Sequence, residues 1–245
     1  MDNRFFRTEI ILGDEGLSQL RNYKIFIAGV GGVGGYVVEN LSRIGFNEIT
    51  IVDHDTVDIT NINRQIIALQ DDVDMPKVEM FMRRITQINP ECKLNALQVF
   101  IDKDNIESFQ LEQYDYVIDC IDSIGSKLDL LEYCIRNKIK IISSMGAGNR
   151  VDVTKVKIAD ISKTTNCGLA KSVRLSLRKR GISKGLKVVY SNEESSAPLL
   201  VETQRRPING TISYMPALFG VLISGIVARE LINNIDYKKD KKNDN

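Results

Sequence analysis

Over its first 150 residues the chain alternates short apolar runs with amphipathic stretches of helical period. Lys24–Ala28, Glu48–Val52, Leu94–Phe100, Tyr116–Cys120 and Ile139–Ser143 read as five strands. Between them lie helices from about Val33 to Ile44, from Pro76 to an end at Asn89-Pro90, and from Lys127 to Asn137. Gly45 stops the first helix, and Phe81, Ile85 and Ile88 give the second its core stripe. Strands alternating with helices predict an open, mostly parallel sheet with helices on both faces. Ahead of it, Arg4 to Leu20 reads as a short amphipathic arm interrupted by Gly13 and Gly16.

The pattern changes beyond residue 150. Val156–Ile161 reads as a strand and Ala170–Arg180 as a helix, which predicts a C-terminal α+β extension. Asn192–Pro207 has no periodicity and reads as a mobile loop, and Ala217–Ile232 is a helix apolar nearly all round. These shifts divide the chain into a nucleotide-binding region (1–150), a basic, substrate-facing and dimerising region packed on it (151–235), and a disordered tail (236–245).

The most informative stretch is Ile25-Phe-Ile-Ala-Gly-Val-Gly-Gly-Val-Gly34. A strand runs into closely spaced glycines (Gly29, Gly31, Gly32, Gly34) and then into a helix, the order of a Rossmann-like nucleotide unit. Such a turn lets backbone approach a phosphate at a helix N-terminus. Asp53, at the tip of the next strand and about 20 residues on, stands where an acid receives ribose hydroxyls. Asp55 follows it. His54 between them is the chain's one histidine and reads as a solvent-facing bystander. The loop Thr60-Asn-Ile-Asn-Arg-Gln65 offers Asn61, Arg64 and Gln65. Lys77 sits in a helix's first turn, where the dipole disfavours a cation unless an anion lies nearby. Asp122 and Ser123 fall past the end of the fourth strand, where ligands bind in such sheets. Two basic groups with a carboxylate poised for Mg2+ suit a triphosphate better than a dinucleotide, and predict an ATP-dependent adenylating site with Arg64, Lys77 and Asp122 as its catalytic set.

Composition narrows the field. Lys+Arg 33 against Asp+Glu 32 leaves a net charge of +1, so no global field recruits nucleic acid. Yet Lys163, Lys171, Arg174, Arg178, Lys179, Arg180, Lys184 and Lys187 crowd one stretch, either as a solvated helix face or as a polyanion site. The four cysteines are far apart and include no Cys-x-x-Cys, which argues against a zinc site or disulfide framework. The N-terminus lacks a signal peptide's apolar core, and the run Met215 to Ala228 is too short to span a bilayer. A cytoplasmic, reduced protein without a membrane partner is expected.

The motifs Gly29-Val-Gly-Gly-Val-Gly34, Val52-Asp-His-Asp-Thr-Val57, Thr60-Asn-Ile-Asn-Arg-Gln65, Pro76-Lys77 and Asp119-Cys-Ile-Asp-Ser123 resemble the ubiquitin-activating-like adenylating superfamily, of ThiF/MoeB/HesA type. The resemblance implies that Asp53 holds the ribose, that Arg7, Asn61, Arg64 and Lys77 hold phosphates, and that Asp122 binds Mg2+. It also implies a homodimer in which Arg64 is lent to the neighbouring subunit. Ser144-Met-Gly-Ala-Gly-Asn-Arg150, Ala159-Asp-Ile-Ser-Lys-Thr164, Leu169-Ala-Lys-Ser-Val-Arg174 and Leu177-Arg-Lys-Arg-Gly181 look like the tRNA threonylcarbamoyladenosine dehydratases. Those enzymes activate the threonyl carboxylate of the modified adenosine next to the anticodon and cyclise it with loss of water. Lys163, Lys171, Arg174, Arg178 and Arg180 would then face tRNA. The alternative is an activator of a ubiquitin-like sulfur-carrier protein, with a cysteine-desulfurase or sulfur-acceptor partner. Gly35 stands where a serine is frequent in the family, and Cys167 reads as a plain loop cysteine rather than a thioester carrier.

Overall fold

The computed structural model describes residues 3–194 and 209–232. Most of the 192–207 loop and the 236–245 tail lie outside the described residues.

Seven strands form one sheet in the order β3-β2-β1-β4-β5-β7-β6. They are β1 (Lys24–Ala28), β2 (Glu48–Val52), β3 (Lys93–Leu97), β4 (Tyr116–Asp119), β5 (Ile141–Ser144), β6 (Val156–Asp160) and β7 (Lys187–Ser191). All pairs are parallel except β6 with β7. Six helices complete the fold: α1 (Phe6–Asn22), α2 (Gly34–Ile44), α3 (Lys77–Ile88), α4 (Ile124–Arg136), α5 (Gly168–Lys179) and α6 (Tyr214–Ile232). The α/β reading therefore holds, and the strands of the C-terminal extension join the same sheet.

The central strands carry apolar runs, Ile25–Ala28 in β1 and Tyr116–Ile118 in β4, because both faces are covered. Ile25 and Ile27 point into the core shared with α2, α3 and α6, while Phe26 and Ala28 point the other way, towards α4. Burying each such side chain stabilises the fold by about 1.5–3 kcal/mol. Register then does the positioning. Ala28 pairs with Val52 and with Asp119, Val52 with Leu97, and Asp119 with Ser143. The strands thus end level, and the residues that follow them share one edge. Between β1 and β4 the strand order reverses, the place where open α/β sheets bind ligands.

Two expectations needed correction. The strand over Leu94–Phe100 ends at Leu97, because its partner β2 ends at Val52 and no ladder remains beyond it. β7 was not foreseen: Lys187 belongs to the basic run, and only Val188, Val189 and Tyr190 form an apolar core between it and Ser191.

Two features hold α2, which carries the glycine turn. Glu39 is buried in α2 and takes Arg84 of α3 at 2.7 Å and Arg43 at 2.7 Å. Burial pushes its carboxyl up, but the bonds to Arg84 and Arg43 outweigh this and hold it below the usual range. α6 crosses α2 closely. It has 19 residues, longer than the apolar run read from the sequence, and is long and apolar enough to cross a membrane by length and composition. Here it belongs to the core, with Met215, Phe219, Ile223, Val227 and Leu231 buried against the sheet and α2.

The crossing leaves no room at Gly220, where a Cβ would stand 2.6 Å from the Val33 carbonyl oxygen and 2.7 Å from the Tyr36 Cβ. Gly220→Ala is expected to cost about 1–3 kcal/mol. In a chain of this length that lowers Tm by about 2–4 °C per kcal/mol. Thermal unfolding of the variant checks it, and an unchanged Tm would show that the two helices can part freely.

Candidate active site

The turn after β1 is built by sterics. Gly29 adopts φ +83°, and a Cβ on it would lie 2.8 Å from the Cys120 carbonyl oxygen. At Gly34 a Cβ would lie 1.8 Å from the Gly29 carbonyl oxygen. These two glycines close the turn on itself and on β4. Gly31 differs, since the nearest atom to its Cβ position is Gln65 Nε2 at 3.8 Å. Its backbone faces open cavity. Gly35 is close to Phe81, 3.1 Å from a Cβ position to the ring, so a serine there would need Phe81 to give way.

Asp53 holds this turn. Its Oδ2 accepts from the Val30 amide at 2.7 Å and its Oδ1 from the Asp55 amide at 2.9 Å. Each oxygen keeps a lone pair for a further donor. Lys77 is buried at the start of α3 and donates to Asp55 Oδ2 at 2.7 Å. The anion that the helix dipole demanded is therefore Asp55. Asp55 also lies 3.2 Å from His54 Nε2, and the His54 ring stands edge-on to Phe100 with centroids 4.9 Å apart.

The 60–65 loop is ordered by its own polar groups. The Asp58 carboxylate accepts from the Thr60 amide at 2.7 Å, and Asn61 Oδ1 from the Asp58 amide at 3.2 Å. The Thr60 bonds hold the Asp58 carboxyl below its usual range. Asn61 is thus a buried capping residue and does not reach the cavity wall. Arg64 donates to the Thr60 carbonyl at 2.7 Å and to Asn63 Oδ1 at 3.0 Å, and lines the cavity of its own chain. Gln65 lines the same cavity, with a buried Oε1 that has no partner among the described residues.

These groups surround a cavity of about 610 Å³ at the carboxyl edge of β1 and β4. Gly29, Gly31, Gly32, Asp53, Asp55, Arg64, Gln65, Lys77, Asp122 and Ser123 all line it. Asp122 is exposed, and no hydrogen bond or ion pair reaches its side chain among the described residues. Gly34 lies behind the turn, and Arg7 is exposed on α1 away from the cavity.

Sequence reasoning missed two parts of the wall. Val99, Phe100 and Ile101 close one side where β3 was expected to continue. Ser144 to Gly148, with Leu169 and Ser172 from α5, close the other. The level ends of β4 and β5 were the available signal for the second.

The basic segment divides. Arg174 donates to the Thr164 carbonyl at 2.9 Å, and Arg180 pairs with Glu132 at 2.7 Å and Asp129 at 3.4 Å. Both serve the fold. Lys163, Lys171 and Arg178 are exposed. Cys167 is buried as the N-cap of α5, its sulfur accepting from the Ala170 amide at 3.5 Å. Cys120 lines the cavity, but burial pushes its thiol well above the ordinary range. Neither is placed as an exposed thiolate nucleophile.

Comparison with known proteins agrees with this geometry. The chain is 40% identical to the tRNA threonylcarbamoyladenosine dehydratase of Bacillus subtilis, over 98% of this chain and 99% of the relative. It is 39% identical to the Escherichia coli enzyme of that name, over 78% of this chain and 74% of the relative. The crystal structure of the E. coli tRNA N6-threonylcarbamoyladenosine dehydratase in complex with AMP matches with a TM-score of 0.88, at 34% identity over 95% of each chain. The family model that matches residues 4–245 is that of the ThiF family. The chain belongs to the ThiF family.

Proposed function

We propose that the protein uses ATP to dehydrate threonylcarbamoyl-adenosine in tRNA, next to the anticodon, through adenylation of the threonyl carboxylate. The observation that carries this reading is the convergence of Arg64, Lys77 and Asp122 on one cavity around the glycine turn, in a chain similar along its length to such dehydratases.

The residues divide the work. The turn's backbone, with Gly31 open to the cavity, receives the phosphates. Asp53 offers its remaining lone pairs to the ribose hydroxyls. Lys77 exchanges Asp55 for phosphoryl oxygens, and with Arg64 stabilises the charge that develops as pyrophosphate leaves. The unpaired Gln65 Oε1 fits a nucleotide donor. A divalent cation fits Asp122, whose carboxylate is uncommitted, better than it fits Asp53, His54 and Asp55. The ligand atoms of those three lie within 4.8 Å of one another, but Asp53 already accepts two amides and turns its remaining lone pairs to the ribose. Bound there, Mg2+ would neutralise the departing pyrophosphate.

The carboxylate oxygen attacks the α-phosphorus and pyrophosphate leaves. The substrate's own ureido nitrogen then attacks the activated carbonyl, AMP leaves, and the ring closes with net loss of water. Proximity supplies much of the second step, so no protein nucleophile is required. The buried Cys167 and the raised Cys120 thiol suit that economy.

Residues 151–235 would supply the tRNA-facing surface through Lys163, Lys171 and Arg178, beside the α5 turn that reaches the cavity. Arg174 and Arg180 would contribute by shaping it. The protein would act as a cytoplasmic homodimer. Phe6, Ile10 and Ile11 are 51%, 60% and 63% exposed on α1, beside a second cavity of about 700 Å³ lined by Arg4, Arg43, Arg83 and Arg84. This larger cavity holds none of the phosphate-binding set, and it is the face that a second copy would cover.

The test is to incubate the protein with ATP, Mg2+ and tRNA bearing the linear modification, then measure nucleoside mass and AMP. Loss of one water with AMP release is expected. AMP release only with a ubiquitin-like sulfur-carrier protein, or ATP binding without turnover, would overturn the proposal.

A further inference from the structure

Lys127 is fully buried, in the first turn of α4. Two effects oppose an ammonium there. Burial strips its water, and the positive end of the helix dipole repels it. It persists because three acceptors surround it: Asp119 Oδ2 at 2.6 Å, the Ser144 carbonyl at 3.1 Å and Ser143 Oγ at 3.4 Å. Asp119 is equally buried, and its Oδ2 also accepts from Ser143 Oγ at 2.5 Å. Its other oxygen accepts the Ile121 amide at 3.0 Å.

These bonds join the end of β4, the end of β5 and the start of α4, the three segments from which one half of the cavity wall rises. Asp122 lies between the tethered Ile121 amide and the first turn of α4. It has no bond of its own among the described residues to aim it. Its placement therefore comes from the backbone on either side, and the Asp119–Lys127 pair fixes that backbone. The same ammonium holds the Ser144 carbonyl, from which the Met145–Gly148 wall departs.

We infer that Lys127, acting through Asp119, is a positioning residue that sets the Asp122 carboxylate for the divalent cation of the nucleotide. This rests on the reading of Asp122 given above. A buried ion pair alone is weak grounds for a stability role, since apolar groups of similar size can replace it without loss. What an apolar pair cannot reproduce is the tether to the Ile121 amide and the Ser144 carbonyl.

The test uses the apolar double variant Asp119→Leu/Lys127→Met, of similar volume, which removes both charges together and with them the tethers to the Ile121 amide and the Ser144 carbonyl. Binding of a non-hydrolysable ATP analogue is measured by calorimetry with and without Mg2+, alongside kcat and KM for AMP formation on the modified tRNA. The expected result is Mg2+-free affinity within about twofold of the parent, a gain from Mg2+ reduced at least tenfold, and a fall in kcat that exceeds any change in KM for ATP. A purely structural role would lower the fraction of active molecules and leave the gain from Mg2+ unchanged. That outcome overturns the inference. If the double variant does not fold, Ser143→Ala removes one hydrogen bond from Asp119 without touching a charge. It should weaken the Mg2+ gain in the same direction, and an unchanged gain overturns the inference. Asp122→Asn is run in parallel. If it keeps the full Mg2+ gain, the metal reading of Asp122 fails; if it loses the gain while the double variant keeps it, only the role of Lys127 fails.

Discussion

Asp122→Ala is expected to lower AMP formation by at least about a hundredfold, the scale at which preorganised charge at a reacting phosphate or carbonyl acts. The folded state should barely notice. Asp122 is exposed and bonds to nothing among the described residues, so its loss sits with surface substitutions, within about 0.5 kcal/mol. Helix capping does not confuse the result, because Ser123 and not Asp122 stands at the N-cap of α4. The paired measurement is AMP release against thermal unfolding. A variant with unchanged turnover would remove the metal from this carboxylate. One that loses turnover together with several degrees of Tm would show that Asp122 serves the fold.

Chain-local signals were legible in the sequence; three-dimensional commitments were not. The spans of β1 and β2 were readable residue for residue because each is a short apolar run buried on both faces. The left-handed Gly45 and the Pro76-Lys77 entry to α3 likewise marked helix ends by local rules. What stayed hidden depended on neighbours. Whether Leu94–Phe100 stays a strand is decided by where β2 ends, and β7 is a strand because β5 and β6 flank it. Lys77 looked like a cation waiting for a ligand, and the structure supplies Asp55. Arg174 and Arg180 looked like tRNA contacts, yet their partners at Thr164, Asp129 and Glu132 hold them in the fold. Lys127 was invisible for the opposite reason. A lysine eight residues after Asp119 carries no signal until a helix turns it back onto the strand tip.

Gly34 and Gly31 of the turn differ in kind, and substituting each should give opposite signatures. Gly34→Ala places a Cβ 1.8 Å from the Gly29 carbonyl oxygen, and Gly29 is itself closed in, since a Cβ on it would stand 2.8 Å from the Cys120 carbonyl oxygen. Relief requires opening the turn, the Asp53–Val30 bond and the seat of α2 together. A loss of about 4 kcal/mol or more is expected, in the exceptional range for one substitution. At about 2–4 °C per kcal/mol for a chain of this size, Tm should fall by roughly 10 °C or the variant should fail to accumulate. Gly31→Ala meets only Gln65 Nε2 at 3.8 Å and needs no unusual backbone angle, so stability should stay within about 1 kcal/mol. Its methyl group would project where backbone must approach a phosphate. KM for ATP should rise at least about tenfold while Tm holds. Thermal unfolding and ATP titration of the two variants read both quantities. If Gly34→Ala keeps its Tm, or if Gly31→Ala loses stability and keeps its KM, the assignment of one glycine to the turn and the other to the nucleotide is wrong.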